Sequence, residues 1–434
     1  MLRTLFIDFN SYFASVEQQI NPSLRGRPVG VLPVMTDSTC CIAASLEAKQ
    51  FGIKTGTSVR DARRLCPDIV LVEAQHAVYV DFHQRAIAAV DRIVPVHQVM
   101  SIDEMACSLT GQWCQRDKAI ALAHTVKKEI TNSLGECLSS SIGIAPNILL
   151  GKLASDMQKP HGLTVIELAD IPTAFEHLPP KSLSGIGTNM VVRLAACGIH
   201  SMADLYAAPR DLLRTAWGGM AGIDMYDKLR GQWYEPVPTT ARSLSHAHVL
   251  PPAMRNPQGA FDVLNRLVQK AGMRLRKQGF YATGMQVSVR PDRHQAHSQG
   301  GHRGTNFAQT QDTIALLHVL HVLWHSGLHT LAQPKAVSVT LHGLIPSSQH
   351  TPDLWDAVPA ENTQASDAAD DQPVSPNAAR QLPLRDRSKL HEAVDRINRR
   401  HGKSALYFAT AHNALDHAPM RIAFNRIPDV ETER

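Results

Sequence analysis

Apolar and polar positions change period several times along the first 165 residues, and each change marks a new element. Leu5-Phe6-Ile7 is an unbroken apolar run, as in a strand buried on both faces, and it stops at Asp8. Arg27 to Val34 is a second strand bounded by Gly and Pro. Ser45 to Phe51 has helical spacing closed by Gly52, a residue suited to the position after a helix. Asp81 to Ile93 places Phe82, Ala86, Ala89, Val90 and Ile93 on one helical stripe and is stopped by Pro95. Val99 to Leu109 alternates like strands around Ser101-Ile102-Asp103-Glu104, and Asp117 to Leu134 is an amphipathic helix. Ser140 to Ala145 is a short strand that runs through Pro146-Asn147 into a helix from Ile148 to Met157. Strands alternating with helices predict an α/β or α+β layered domain.

Ile171 to Trp233 changes to short helices with Gly-containing joints, and Tyr234 to Pro238 reads as an extended linker. Phe261 to Lys277 predicts a helix, Thr283 to Pro291 and Pro334 to Leu344 strands, and Thr310 to Leu331 a further helix. Together they make a small α+β domain over about 242–345. Pro346 to Ala379 carries six acids and no Lys or Arg among many Pro, Ser, Asn and Ala, the composition of a disordered tether. A last helix (Arg385 to Arg400) and strand (Ala405 to Ala409) follow.

The chain of 434 residues with 44% apolar content has room for about three domains, each with its own core. No apolar run approaches the roughly 18 residues of a membrane helix. The N-terminal apolar run ends at Asp8, too short for a secretory signal. Seven cysteines without a CxxC pair argue for a reducing cytoplasm and against a disulfide framework or thiolate zinc site. Net charge is +5, but residues 236–345 hold eleven Lys/Arg against three acids, so the remainder is net negative. A positive field concentrated in one segment suits a polyanion such as nucleic acid; a solvated basic face is the plainer alternative.

Three carboxylates stand out. Asp8 ends the first strand, and Asp103 and Glu104 sit in a second strand-like stretch, all with apolar neighbours. Carboxylates gathered in a low-dielectric site repel one another, and hard divalent cations such as Mg²⁺ remove that cost. Adjacent strand residues face opposite sides, so Asp103 and Glu104 share a site only where the strand twists or ends. Lys159 follows a helix that Pro160 terminates and Lys49 precedes Gly52; lysine is a point-charge binder of phosphate. Leu183-Ser184-Gly185-Ile186-Gly187, before a helix from Asn189 to Cys197 and after a weakly signalled one near Phe175 to Leu178, has the form of a hairpin that offers backbone N–H groups to DNA phosphate.

In order and spacing, several motifs resemble the Y-family translesion DNA polymerases: Ile7-Asp8-Phe9-Asn10-Ser11-Tyr12-Phe13-Ala14-Ser15-Val16-Glu17, Glu47-Ala48-Lys49-Gln50-Phe51-Gly52-Ile53-Lys54, Ser101-Ile102-Asp103-Glu104, Ser141 to Asn147, Gly151 to Gly162 and Gly185-Ile186-Gly187. Asn10, Glu47-Ala48-Lys49 and Ala405 to Ala409 look more like the polymerase V (UmuC) branch; Ser155-Asp156-Met157 and Lys159 to Gly162 look more like polymerase IV (DinB). The resemblance implies a right-hand α/β (α+β) multidomain polymerase. Its palm would span 1–10 and 72–165, small fingers 11–71, a helix-hairpin-helix thumb 166–233, a linker 234–241 and an α+β little finger 242–345. An acidic tether (346–384) and a C-terminal segment (385–434) would complete it. It implies error-prone, template-directed DNA synthesis past damage, in DNA repair and the SOS response, with two Mg²⁺ ions on Asp8, Asp103, Glu104 and the Phe9 carbonyl. Asn10, Ser11, Tyr12, Phe13, Lys49 and Lys159 would bind the deoxynucleoside triphosphate. Phe13 would be the steric gate against a 2′-hydroxyl, with Tyr12 as its neighbour or a simple core aromatic. Primer-template DNA would meet Gly185, Gly187, Arg242, Arg274, Arg276, Lys277 and Arg290. The replication sliding clamp would dock at Leu354 and Trp355, and a UmuD-like subunit is a further implied partner.

Departures are Ala43 and Leu46, where polymerase IV carries a hydroxyl residue and a tyrosine on the triphosphate, and Gly151 for a more usual alanine. His318, His321, His325 and His329 share one helical stripe, but its apolar surroundings point to core or DNA-facing histidines rather than a metal site. The rival readings are a catalytically weak scaffold that binds DNA and recruits another polymerase, and a two-metal nuclease in which Phe13 and Lys159 have no task.

Overall fold

The computed structural model describes residues 1–235, 240–291, 300–331, 333–351, 387–402, 405–415, 422 and 427–428. The chain divides into two compact units, Met1–Val237 with Arg421–Pro428, and Pro238–Met420 with Asp429–Arg434.

In the first unit the elements run β1 (Thr4–Phe9), α1 (Tyr12–Ile20), β2 (Val29–Leu32), β3 (Ala43–Ala44), α2 (Leu46–Gln50), α3 (Val59–Leu65) and β4 (Val70–Glu73). They continue with α4 (His76–Asp91), β5 (Val96–Val99), β6 (Glu104–Ser108), α5 (Arg116–Leu134), β7 (Ser140–Ala145), α6 (Ile148–Met157) and β8 (Leu163–Val165), and close with α7 (Thr188–Ala196), α8 (Met202–Ala207), α9 (Arg210–Trp217) and α10 (Met220–Leu229). A five-stranded sheet has the order β5-β6-β1-β7-β8, and a smaller one the order β3-β2-β4. The central strand β1 is buried at every residue, which is why its sequence is apolar without alternation. It runs antiparallel to β6 and β7, with Asp8 opposite Glu104 and Ser141. Asn147 caps α6 by accepting the Leu150 N–H at 3.0 Å, and the helix then lies against β7 at Gly143, where there is no side chain to hold it off. The helix expected near Phe175 to Leu178 is a run of turns followed by a 3₁₀ turn at Pro180–Ser182. The hairpin therefore has a regular helix, α7, on one side only.

The second unit contains β9 (Ser243–Val249), α11 (Pro257–Lys277), β10 (Phe280–Pro291), β11 (Gly301–Thr310), α12 (Thr313–His325), β12 (Pro334–His342), a two-residue β13 (Ile345–Pro346) and α13 (Ser388–His401). Its sheet has the order β11-β10-β12-β9. Met285, Val287 and Val289 of β10 join α11 and α12 in one core, while Gln286 and Arg290 on the other face are exposed. The helix expected over Thr310 to Leu331 is shorter: Asp312 caps α12 with its carboxylate on the Ile314 N–H at 2.7 Å, and Gly327 at φ 121° follows its end. β11 was not legible, because Gly-His-Arg-Gly-Thr-Asn lacks apolar alternation; among the described residues it is an edge strand hydrogen-bonded to β10. Ala405 to Ala409 is not a strand: bends lead into a 3₁₀ helix at Ala409–Ala414 that packs on α11. Residues 236–239 of the expected linker, 352–384 of the expected tether, including Leu354 and Trp355, and 385–386 of the expected last helix lie outside the described residues. Among the described residues no helix is long and apolar enough to cross a membrane, and all seven cysteines are free.

Candidate active site

The antiparallel pairing of β1 and β6 brings Asp8 beside Glu104, residues 96 positions apart in the chain. Ser101 to Asp103 form a bend before β6 begins at Glu104, so Asp103 and Glu104 are not successive residues of a regular strand. The Asp103 carbonyl accepts the Phe9 N–H at 2.9 Å, which ties this bend to the end of β1. The bend releases Asp103 from the strict alternation of a regular strand.

Among these acids sits a cation that the sequence reading had not assigned. The Lys152 Nζ of α6 contacts Asp8, lies 2.8 Å from Glu104 Oε1 and 3.1 Å from Asp156 Oδ2. Lys159 Nζ is 2.7 Å from both Asp8 Oδ2 and Asp156 Oδ1. Part of the signal was present as spacing: Lys152 and Asp156 stand i and i+4 on α6, and Lys159 follows just past its end. Asp103 instead accepts from Ser101 Oγ at 2.6 Å. Burial, with the negative charge of Asp8 added, raises the Asp103 carboxyl above the usual carboxylate range despite the Ser101 hydrogen bond. Burial also raises Glu104, against the pull of Lys152. Burial works against a charged Lys152, but Asp8, Glu104 and Asp156 together outweigh it and hold the ammonium protonated.

These acids line a cavity of ≈ 1040 Å³, together with Ser11, Phe13, Ala43, Leu46, Lys49 and Lys159. Ser11 has a left-handed backbone (φ 51°) and precedes α1, and its Oγ is buried without a hydrogen-bond partner. The first N–H groups of a helix lack intrahelical acceptors, so this end of the cavity offers donors to an anion. Phe13 stacks on Tyr79 (4.4 Å between centroids, 15° between planes) and meets His76 edge-on, which fixes its ring. Tyr12 is a core aromatic whose hydroxyl donates to the Tyr79 carbonyl at 2.7 Å. The side-chain amide of Asn10 turns into the sheet, to Ser139 and Ser141. Burial and the neighbouring Lys159 lower Lys49. Ala43 and Leu46 present only apolar surface.

Among the described residues no three His, Cys, Asp or Glu side chains converge to hold an ion as they stand; Lys152 occupies the space between them. The donor set nevertheless fits Mg²⁺: hard carboxylate oxygens, two of them already on a cation of like sign, and Asp103 adjoining.

Of the basic residues singled out from sequence, Arg242 and Arg290 are exposed, Arg290 on the face of the second sheet away from the helices. Arg274, Arg276 and Lys277 lie on α11, in the layer behind that sheet. Arg276 makes a two-pronged ion pair with Asp395 (2.7 and 2.8 Å) and donates to the Gln311 carbonyl and Thr313 Oγ1. Its role is internal, which linear charge counting cannot see. Gly185 has φ 91°, and neither it nor Gly187 has a non-neighbouring atom within 4 Å of an ideal Cβ. His321 and His325 lie 4.3 Å apart between ring centroids, but no metal-sized group forms there among the described residues.

The impB/mucB/samB family profile matches residues 7–156, and the profile of that family's C-terminal domain matches residues 241–354. DNA polymerase IV of Moorella thermoacetica is 34% identical over 82% of this chain and 88% of its own length. DNA polymerase IV of Streptococcus pneumoniae is 31% identical over 64% of this chain and 79% of its own. A chimeric Y-family DNA polymerase has the same fold at TM-score 0.67 and 24% identity, over 80% of this chain and all of its own. An insertion ternary complex of the Dbh DNA polymerase matches at TM-score 0.53 and 23% identity, over the same shares. The carboxylates around Lys152, the cavity beside them and these relatives agree: the chain belongs to the Y family of DNA polymerases, as a DinB/UmuC-like translesion DNA polymerase.

Proposed function

We propose that Asp8, Asp103 and Glu104, with the Phe9 carbonyl, hold two Mg²⁺ ions, and that the adjoining cavity takes a deoxynucleoside triphosphate. The observation that carries this reading is the Lys152 ammonium gripped by Asp8 and Glu104 at the cavity wall, a protein-supplied cation among hard oxygen donors. When bound, the ions supply charge neutralisation and acidify the attacking hydroxyl. The primer 3′-oxygen bonds to the α-phosphorus, the bond to the bridging oxygen breaks, and pyrophosphate leaves. Lys159 and Lys49 offset triphosphate charge, and the N–H groups at the start of α1 bind its oxygens. Phe13, held by Tyr79 and His76, lies under the sugar and leaves no room for a 2′-hydroxyl. Ala43 and Leu46 give the nucleotide shape contact without hydrogen bonds, so positioning falls to the lysines and the helix end.

Gly185 and Gly187 hand backbone N–H groups to DNA phosphate, and Arg242 and Arg290 contact duplex on the open face of the second sheet. Arg276 is withdrawn as a DNA contact because Asp395, Gln311 and Thr313 hold its guanidinium, while Arg274 and Lys277 stay candidates near the end of α11. The domains proposed are 1–10 and 72–165 palm, 11–71 fingers, 166–233 thumb and 242–345 little finger. Clamp docking through Leu354 and Trp355 is a separate proposal, tested by binding of a peptide spanning them.

Primer extension with Mg²⁺ on undamaged and abasic templates tests the site assignment. Asp103→Ala is expected to abolish extension while DNA affinity stays near wild type. Normal extension by that variant overturns the assignment; shortening of the primer would favour a nuclease, and binding without either a scaffold.

A further inference from the structure

Among the described residues of the second unit, Arg266 is a buried cation with no carboxylate paired to it. Arg266, on the face of α11 away from the sheet, is 5% exposed, and its Nε has no hydrogen-bond partner. No ion pair or hydrogen bond to its guanidinium is made by any described residue. Three described carboxylates of the unit are already engaged. Asp262 accepts from Gln258 and Asn413, Asp395 is held by both prongs of Arg276, and Asp312 by Arg387 and His391 at 2.9 Å. Arg266 borders a cavity of ≈ 30 Å³ together with Lys270, Arg276, His391, Asn398 and Tyr407. Lys270 and Arg276 share that wall, and the guanidinium of Arg276 is already paired with Asp395.

An unpaired buried charge is costly, and native interiors satisfy such groups with water or an ion. Water would complete the hydrogen bonds but leave the charge. A tetrahedral oxyanion does both, and the guanidinium fork matches two of its oxygens. We propose that this cavity is a binding site for a phosphate-class oxyanion, held by Arg266 with Lys270 beside it, in the layer formed by α11, α13 and residues 405–408. Burial pulls the Arg266 guanidinium below its ordinary value, as expected of a charge that lacks compensation in the ligand-free fold. The site lies outside the polymerase cavity and does not depend on the assignment made there.

Thermal melting of the full chain in phosphate-free buffer, with inorganic phosphate or chloride added at matched ionic strength, tests it. At phosphate near ten times its dissociation constant the midpoint should rise by about 3–6 °C, saturably and beyond chloride. Arg266→Met should lose that rise, and melt no lower than wild type without phosphate, because methionine fills the volume without a charge to bury. Arg266→Lys keeps the charge without the fork and should bind severalfold more weakly. Lys159→Met should keep the shift, which separates this site from the triphosphate end of the first unit. A short oligonucleotide without terminal phosphate distinguishes phosphodiester from free oxyanion, and should give no Arg266-dependent shift. The proposal is overturned if chloride equals phosphate, if Arg266→Met retains the shift or is markedly less stable without phosphate, or if the Arg266-dependent shift comes from the oligonucleotide alone.

Discussion

Gly143→Ala should damage both the stability of the first unit and its chemistry through one atom. Gly143 lies inside β7, opposite Phe6 of β1 and Thr164 of β8, with α6 directly above it. A Cβ there would stand 2.0 Å from the Gly151 carbonyl oxygen and 2.5 Å from the Ser155 amide nitrogen, whereas real Cβ contacts essentially never fall under 3.0 Å. These are backbone atoms of α6 and cannot rotate aside, so the helix must retreat by about 1 Å to restore the closest tolerated contact. Overpacking of this kind costs about 1–3 kcal/mol, which for a unit of this size lowers the melting midpoint by about 2–12 °C. The same helix runs into Lys159, which is proposed to meet the triphosphate and lies 2.7 Å from Asp8 Oδ2, so its retreat moves that lysine from the site. A displacement of about 1 Å at a reacting centre is worth about 10²-fold in rate. Melting followed by single-turnover primer extension reads both effects. An unchanged midpoint would refute the close packing of α6 on β7. A lowered midpoint with unchanged single-turnover rate would refute the coupling of that packing to the carboxylate site.

Asp103→Asn should reduce extension by about 10³-fold or more and yet raise the melting midpoint of the metal-free protein. Because the folded carboxyl is raised, it binds its proton more tightly folded than unfolded. Metal-free stability should therefore fall as pH rises from the ordinary carboxylate range through that raised value, and the asparagine variant should lose this slope; an identical slope would count against a raised Asp103. Lys152→Met should tighten Mn²⁺ binding without DNA or nucleotide by about tenfold, since no ammonium has to be displaced from Asp8 and Glu104. Calorimetry showing equal or weaker binding would reject Lys152 as the resident cation. Phe13→Ala should admit ribonucleotides with little change in deoxynucleotide incorporation, and continued exclusion in a competition assay would remove Phe13 as the gate.

Local order was largely readable along the chain. The apolar run ending at Asp8, the capped start and proline stop of α6, and the stripe of α11 are short-range patterns, and the corresponding elements form where those patterns lie. β11 and the segment after Gly402 were not readable, since an edge strand with one partner and a 3₁₀ turn packed on α11 need little pattern of their own. The motifs around Asp8, Asp103, Glu104, Phe13 and Lys159 pointed to the chemistry, because residue type and order are properties of the linear chain. Pairing across space was decided by the tertiary fold alone. Linear charge placed Arg276 with the DNA-facing cations, yet Asp395, 119 positions away, takes its guanidinium. Lys152 looked like one more helical lysine until the β1–β6 pairing set two carboxylates around it. Asp103 lies in a bend, which alternation does not specify, ahead of the strand that Glu104 opens. Secondary structure answers to neighbours a few residues away, whereas the partner of a charge is whichever group the packed sheets and helices bring within about 3 Å of it.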